Sequence, residues 1–162
     1  MNLTSGTISA KFNCVGTNAT GVSTPTDSMV LSLDSVFAQG TSTAQGNQLY
    51  SKRQTNLAAS AADTLDFNAS TLTDGFGALL NFTRIKAVLI INTGTVAITV
   101  GGANTSVPPT ASPITIGVGG MYLSCRPDST GYAVGVGADT IIITNSSGST
   151  AAAYDLAVLG TV

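Results

Sequence analysis

The chain has 162 residues, of which 43% are hydrophobic and only 9% are charged, and its formal net charge is −2. This length suits one domain with a packed core, and the charged fraction lies far below the roughly 25% of an ordinary soluble domain. Nucleic-acid binding needs a cluster of basic side chains, and the six present are scattered: Lys11, Lys52, Arg53, Arg84, Lys86 and Arg126.

The residue types predict an all-β protein. The chain has no Glu, His or Trp, and it is rich in Thr, Ser, Ala, Gly and Val. Helix surfaces are usually built from long charged or amide side chains, whereas strand surfaces are commonly built from Thr, Ser and Val. A surface this poor in charge is either hydrated through its hydroxyl groups or covered by neighbouring subunits, and the sequence leaves both explanations open.

The N-terminal segment predicts two half-buried strands. Residues 7–14 alternate between apolar and polar side chains, and a second alternating run starts at Met29 and extends to Phe37, before Gly40 ends it. A polar loop over residues 16–27 joins the two runs. We expect these apolar residues to face the core: Ile8, Ala10, Phe12, Cys14, Met29, Leu31 and Leu33.

The two cysteines, Cys14 and Cys125, both lie on apolar strand faces. The sequence favours buried free thiols, because cysteine is often buried as a small apolar residue. A disulfide stays an alternative and needs the two Cα atoms within about 7 Å. Two cysteines and no histidine argue against a metal site.

Residues 41–56 are the most polar stretch, and they show no regular periodicity. We interpret them either as an extended arm that packs on a neighbouring chain or as a surface loop. Residues 57–65 are compatible with a strand or a short Ala-rich helix, and residues 78–82 with one helical turn. Asp74-Gly75 between them predicts a turn.

Residues 72–102 hold the longest apolar run of the chain, at 87–91. This run predicts a buried strand, the letters from Asn92 predict a tight hairpin turn, and residues 96–100 predict the second strand of that hairpin. Arg84 and Lys86 precede the run and are expected to mark an exposed strand end.

The C-terminal half predicts regular short strands separated by Gly, Pro and Asn turns. Over the whole chain, eight or nine short strands separated by such turns suggest a single-domain antiparallel β-sandwich or jelly-roll-like barrel over residues 1–162, with an irregular N-terminal half. The predicted strands are 114–118, 121–125, 132–136, the central buried strand 140–144, and 154–158. The predicted loops are 105–113, 126–131 and the hairpin loop 145–149.

The sequence offers no convincing catalytic or metal-binding pattern. Without histidine, the usual Ser-His-Asp and Cys-His sites are absent. Asp63 and Asp66 would face opposite sides of a strand, so they do not form a carboxylate pair, and with Asn68 they give at most a weak calcium pattern. The glycines of 117–120 and 131–137 are best explained as turns. We therefore expect no enzyme activity, no cofactor and no metal.

Targeting signals are also lacking in the sequence. The first residues have neither the basic nor the apolar region of a signal peptide, and no apolar run reaches about 18 residues. We expect a protein made in a cytoplasm and not exported by such a signal.

The order of segments carries a family resemblance. It runs AQGTSTAQGNQLYSKRQTNLAASAADTLDF, LTDGFGALLNFTRIKAVLIINTG, ITVGGA, ITIGVGGMYLSCRPDSTGYAV and ADTIIITNSSGSTAAAYDLAVLG. Over roughly residues 37–160 the chain resembles a group of small structural proteins of tailed bacteriophages. The resemblance implies a virion component with a β-sandwich or jelly-roll fold, and it supplies no catalytic residues.

Small sandwiches of this family often serve as capsid decoration, or cement, proteins and are commonly trimeric. The resemblance thus implies a homotrimer that binds the major capsid protein in the virion. We expect residues 41–56 to make the contact with the capsid. The alternative is a tail or fibre component that binds a host receptor through exposed Tyr122, Tyr132 and Tyr154, although core packing of these rings is the simpler expectation. A particle-borne depolymerase would need catalytic Asp residues.

Overall fold

The computed structural model describes residues 3–17, 26–102, 105, 107 and 112–162. These residues contain no helix, and so none that is long and apolar enough to cross a membrane. The prediction of an all-β protein is confirmed, with more strands than expected. They are β1 (Gly6–Thr17), β2 (Thr26–Gln39), β3 (Gln45–Gly46), β4 (Gln48–Leu57), β5 (Ala62–Asp66), β6 (Arg84–Asn92), β7 (Ile98–Val100), β8 (Ile114–Ile116), β9 (Met121–Cys125), β10 (Tyr132–Ala133), β11 (Thr140–Asn145) and β12 (Ala152–Thr161).

Two antiparallel sheets form the body of the molecule. In the front sheet, β12 lies between β4 and β6, and both β9 and β10 pair with the other edge of β6. In the back sheet the order is β5-β11-β7-β8. A separate small sheet joins β1, β2 and β3, and its β2–β3 pair is parallel.

The main core lies between the front and back sheets. Each central strand buries alternate residues, as in β11, where Ile141 and Ile143 are at most 1% exposed. Burial of such side chains stabilises a fold by about 1.5 to 3 kcal/mol each. Because two separate sheets enclose this core, the sandwich form of the predicted fold is confirmed. The jelly-roll connectivity stays a prediction.

The predicted hairpin after residue 91 is wrong. β6 and β7 do not pair, because β6 belongs to the front sheet and β7 to the back sheet. The segment from Asn92 therefore crosses between the sheets. The predicted hairpin loop at 145–149 is wrong in the same way, since β11 and β12 also lie in different sheets. Turn letters mark where a strand ends but do not determine its next partner.

The interpretation of residues 41–56 as an arm or loop is also wrong for most of this stretch. Residues 48–57 form β4, the edge strand beside β12. Its polar residues do alternate, with Gln48 and Tyr50 buried and Leu49 and Ser51 exposed. Polar side chains suit an edge strand that has solvent on one side. Because nearly all residues of this strand are polar, its two-residue period does not show as an alternation of apolar and polar letters.

Three shorter predictions have mixed outcomes. Residues 58–61 form a turn between β4 and β5, so neither a continuous strand nor a helix spans 57–65. Residues 78–82 form no helical turn. The turn at Asp74 is confirmed, because its carboxylate accepts hydrogen bonds from the backbone N–H groups of Phe76 and Ala78 at 2.9 Å.

Lys86 was expected at an exposed strand end, but it is fully buried. The register between β6 and β12 skips it, because Ala87 pairs with Leu159 and Ile85 with Gly160. This bulge lets the Lys86 ammonium donate a hydrogen bond to the backbone carbonyl of Asp128. Desolvation lowers the pKa of Lys86 from its ordinary value, and the negative charge of Asp128 opposes that shift.

Candidate functional site

The most exposed structured element is the hairpin of β1 and β2. Its strands pair over twelve residues, from Gly6 opposite Phe37 to Thr17 opposite Thr26. Every residue in 9–17 and 26–34 is exposed. At about 3.4 Å per residue this outer part is roughly 30 Å long. We call residues 9–17 and 26–34 the outer hairpin.

The two faces of the hairpin differ in chemistry. Directly opposite residues of an antiparallel pair share a face, so Phe12 and Leu31 lie together, and Lys11 and Ser32 lie on the reverse. Leu31 is 60% exposed. The apolar face consists of Ile8, Ala10, Phe12, Cys14, Met29, Leu31, Leu33 and Phe37, with Gly6, Ser35 and, at its outer end, Gly16 and Asp27; it carries no charge before Asp27.

The strands predicted over 7–14 and from Met29 are confirmed, but their predicted burial is wrong. Phe12 and Leu33, expected in the core, are 56% and 65% exposed. Residues 18–25 of the predicted loop lie outside the described residues. Alternation identified the faces correctly, but it cannot show whether another element covers the apolar face.

The base of the hairpin is fixed to the outer face of the front sheet. Phe37 is fully buried and forms a second small core with Ala87 and Leu159, against which Ile8 packs. The adjacent β3 makes a close approach at Gly46, where a Cβ atom would lie 2.8 Å from Leu159 Cδ1. The backbone N–H of Asn47 donates to the Gly160 carbonyl at 2.9 Å. The apolar face is thus held against the body at one end only.

The outer face of the front sheet is apolar around this anchor. Two clefts, of about 230 and 520 Å³, separate it from β1. The second cleft is lined on the sheet side by Leu89, Ile91, Met121 and Leu123. The cross-strand rows of this face are Leu49–Leu159–Ala87–Cys125, Ser51–Ala157–Leu89–Leu123 and Arg53–Asp155–Ile91–Met121.

Charge on this outer face is confined to one side. Arg53 Nε donates to Asp155 Oδ1 at 2.9 Å, so the two charges on β4 and β12 neutralise each other. The other residues of these rows are uncharged, and all but Ser51 and Cys125 are aliphatic or Met. We call the area around Leu89, Ile91, Met121 and Leu123 the outer apolar patch.

Both cysteines are free thiols, as the sequence favoured, but neither is fully buried. Cys14 is exposed on the apolar face of the outer hairpin. Cys125 is partly buried beside the small core at the hairpin base.

Asp63 has a structural role between the sheets. Its Oδ2 atom accepts hydrogen bonds from Lys52 Nζ and from the Tyr154 hydroxyl, both at 2.5 Å. Burial, followed by the hydrogen bond and charge of Asp63, raises the pKa of Tyr154 well above its ordinary value. The phenol is therefore a neutral donor, and this carboxylate is already occupied by protein partners.

We expect Asp63→Ala to lower the free energy of unfolding by about 2 kcal/mol, because it leaves the Tyr154 hydroxyl and the Lys52 ammonium without their acceptor. Urea denaturation followed by circular dichroism measures the change. Lys52→Met is the matched control: it keeps the Asp63–Tyr154 hydrogen bond and should cost less. An equal or larger loss in Lys52→Met would contradict the role given to Asp63.

The weak calcium pattern and the glycine-rich segments noted in the sequence lie in or next to turns. Asp66 Oδ1 accepts from the backbone N–H groups of Asn68 and Ala69 at 2.9 Å, so it does not converge with Asp63 on a calcium site. Residues 117–120 and 131–137 form turns and short strands. Among the described residues, no cluster of acidic or sulfur ligands could hold a metal ion.

The three tyrosines do not form an exposed cluster. Tyr154 is fully buried in the main core, and Tyr122 and Tyr132 are partly buried against it. The hydroxyl of Tyr132 lies 2.8 Å from that of Ser124. The simpler expectation of core packing therefore describes them better than the sugar-stacking surface does.

Comparisons with known proteins leave the family open. No family model matches the chain, and no curated protein matches it. Two solved structures of Tobacco streak virus coat protein share 15% identity with it and are covered over 85% of their length. The C2 crystal form covers 69% of this chain with a TM-score of 0.36, and the coat protein dimer covers 71% with a TM-score of 0.38. Similarity this low assigns neither family nor function.

Proposed function

We propose that this chain is a structural protein of a bacteriophage virion, specifically a capsid decoration protein that binds the outer shell and bridges capsid subunits. The observation that carries the proposal is a low-charge β-sandwich whose longest hairpin displays an apolar face that is uncharged from Ile8 to Cys14 and from Met29 to Phe37. Single scattered apolar residues are normal on a surface, but a continuous face of this kind marks an interaction site.

The proposed mechanism is binding to the assembled state. A protein that contacts several capsid subunits at once stabilises the shell by mass action, since it binds the assembled form and not the separate subunits. The major capsid protein is the proposed partner, and a homotrimer is the proposed form. The chain acts without catalysis or cofactor.

The hairpin replaces residues 41–56 as the element proposed to reach a neighbouring chain in the assembled shell. Most of 41–56 belongs to β3, which pairs with β2, and to β4, which pairs with β12 of the front sheet. The outer hairpin instead reaches away from the body while its base stays fixed by Phe37. The receptor-binding alternative loses its main support, because Tyr154 is buried.

Electron cryomicroscopy of the intact particle tests the proposal. We expect density for this protein on the outside of the shell, repeated with the capsid symmetry and contacting more than one capsid subunit. Density in the tail alone, or only a few copies per particle, would refute the decoration role.

A further inference from the structure

We propose that the outer hairpin of one copy docks on the outer apolar patch of a second copy of this chain. The inference rests on the proposed function for its setting, and it names the partner of this particular surface. The capsid shell would then be bound by other surfaces of the assembled protein.

The first argument is that the same contact already exists within one chain. At the hairpin base, Ile8 and Phe37 of the apolar face pack on Ala87 and Leu159 of the front sheet. The next rows of that sheet, at Leu89–Leu123 and Ile91–Met121, offer the same aliphatic chemistry. The next cross-strand pairs on the apolar face of the hairpin, Ala10–Leu33 and Phe12–Leu31, are also apolar.

The second argument is that the chain cannot complete this contact by itself. Residues 7–11 of β1 line the cleft of about 520 Å³ over the patch, but Phe12 and Leu31 lie beyond it. The register of β1 and β2 and the buried anchor at Phe37 fix the path of the hairpin. Within the described residues, the patch therefore faces only the first residues of the outer hairpin across this cleft, and Phe12, Leu31 and Leu33 do not line it.

The third argument concerns size. Four large side chains of the apolar face, Phe12, Met29, Leu31 and Leu33, are between 48% and 65% exposed. At about 100 Å² for each buried side chain, one hairpin would cover roughly 400 Å². In a reciprocal pair each copy gives one hairpin and receives another from the same partner, so it buries about twice that, which matches the roughly 800 Å² per partner of a standard interface.

The fourth argument concerns charge. The apolar face of the hairpin has no charged residue from Ile8 to Cys14 or from Met29 to Phe37, with Asp27 only at its outer end, and Arg53 and Asp155 at the border of the patch neutralise each other. Nothing on either surface would select a strongly charged partner, whereas each surface is complementary to the other. Because the two surfaces differ, two copies can exchange hairpins reciprocally about a two-fold axis, or more copies can close head-to-tail into a ring such as a trimer.

Sedimentation equilibrium of the purified full chain tests the inference in the absence of any capsid. We expect the wild-type protein to form a closed oligomer. Leu31→Ser should weaken association by at least about tenfold, since one large apolar side chain contributes more than the 1.4 kcal/mol that this factor represents. Val30→Ser is the matched control: it is 58% exposed on the opposite face of the same strand, and it should leave association unchanged.

A mixing experiment identifies the receiving surface. Leu89→Ser should weaken association as Leu31→Ser does, while circular dichroism confirms that both variants fold. When the two variants are mixed, the intact hairpin of one meets the intact patch of the other. The mixture should therefore associate more tightly than either variant alone, which direct hairpin-to-hairpin pairing would not produce.

Three results would overturn the inference: a monomeric wild-type protein, equal weakening by Val30→Ser and Leu31→Ser, or no recovery on mixing. Binding of the purified protein to capsids, measured by co-sedimentation, separates the two proposals. Capsid binding by a monomer would refute the hairpin exchange and leave the decoration role standing. A hairpin-dependent oligomer that does not bind capsids would refute the decoration role alone.

Discussion

Replacing Phe37 with alanine is expected to lower the free energy of unfolding by about 3 to 5 kcal/mol, the usual cost of removing a fully buried Phe side chain. Phe37 is 0% exposed and is the largest member of the small core with Ala87 and Leu159. The side chain holds the base of the hairpin on the front sheet. The variant should therefore also lose the fixed position of the outer hairpin, on which association depends.

Urea denaturation measures the stability change, and limited proteolysis reports whether the hairpin is released. Val36→Ala is the matched control, because Val36 is the preceding residue, lies on the opposite face and is 61% exposed. A surface change of this kind is expected to stay within about 0.5 kcal/mol. Similar losses for the two variants would show that Phe37 is not an anchor.

The second large effect is expected at Asn92, where the chain crosses from the front sheet to the back sheet. Asn92 is 1% exposed, and its Nδ2 group donates to the carbonyls of Val96, Ile116 and Gly117 at 2.9 to 3.0 Å. Its Oδ1 atom accepts from the N–H of Gly94 at 3.0 Å. The side-chain amide of Asn92 therefore bonds to the backbone within the crossing segment and also to the backbone at the end of β8.

Asn92→Ala should lower the free energy of unfolding by about 3 kcal/mol, because it leaves several buried backbone groups without partners, at about 1 to 3 kcal/mol for each unsatisfied group. Thermal and urea denaturation measure the loss. Thr93→Ala is the control: Thr93 is exposed in the same crossing, and its backbone hydrogen bond to Ala153 is retained. A loss below about 1 kcal/mol at Asn92 would mean that water replaces the amide.

Asn145 occupies the equivalent place in the crossing from β11 to β12. It is 2% exposed, and its Nδ2 group donates to the carbonyls of Leu57, Ala58 and Thr150 at 2.8 to 3.0 Å. Its Oδ1 atom accepts from the Ser147 N–H at 2.9 Å. The two crossings thus use the same device, which accounts for two buried asparagines in a core that is otherwise mainly apolar.

The candidate site could be predicted in part. The alternation in 7–14 and after Met29 correctly placed Phe12 and Leu31 on the apolar faces of two strands. It also led to the wrong conclusion that these faces are buried, because an apolar face looks the same in sequence whether its cover is the same chain or a second one. The outer apolar patch was not predicted as a surface, since Leu89 and Ile91 sit in a run that reads as buried on both sides.

The sequence alone determined the features that depend on local chemistry. Composition and the period of two established an all-β chain, and the short side chain of Asp74, which can bond to nearby backbone N–H groups, identified its turn. Only the tertiary structure decided which strands pair, that Asn92 and Asn145 carry the chain between sheets, and that the apolar face of the first hairpin remains open. Those features depend on contacts between residues far apart in the chain, and a side chain's local pattern does not record which distant strand or which neighbouring molecule will cover it.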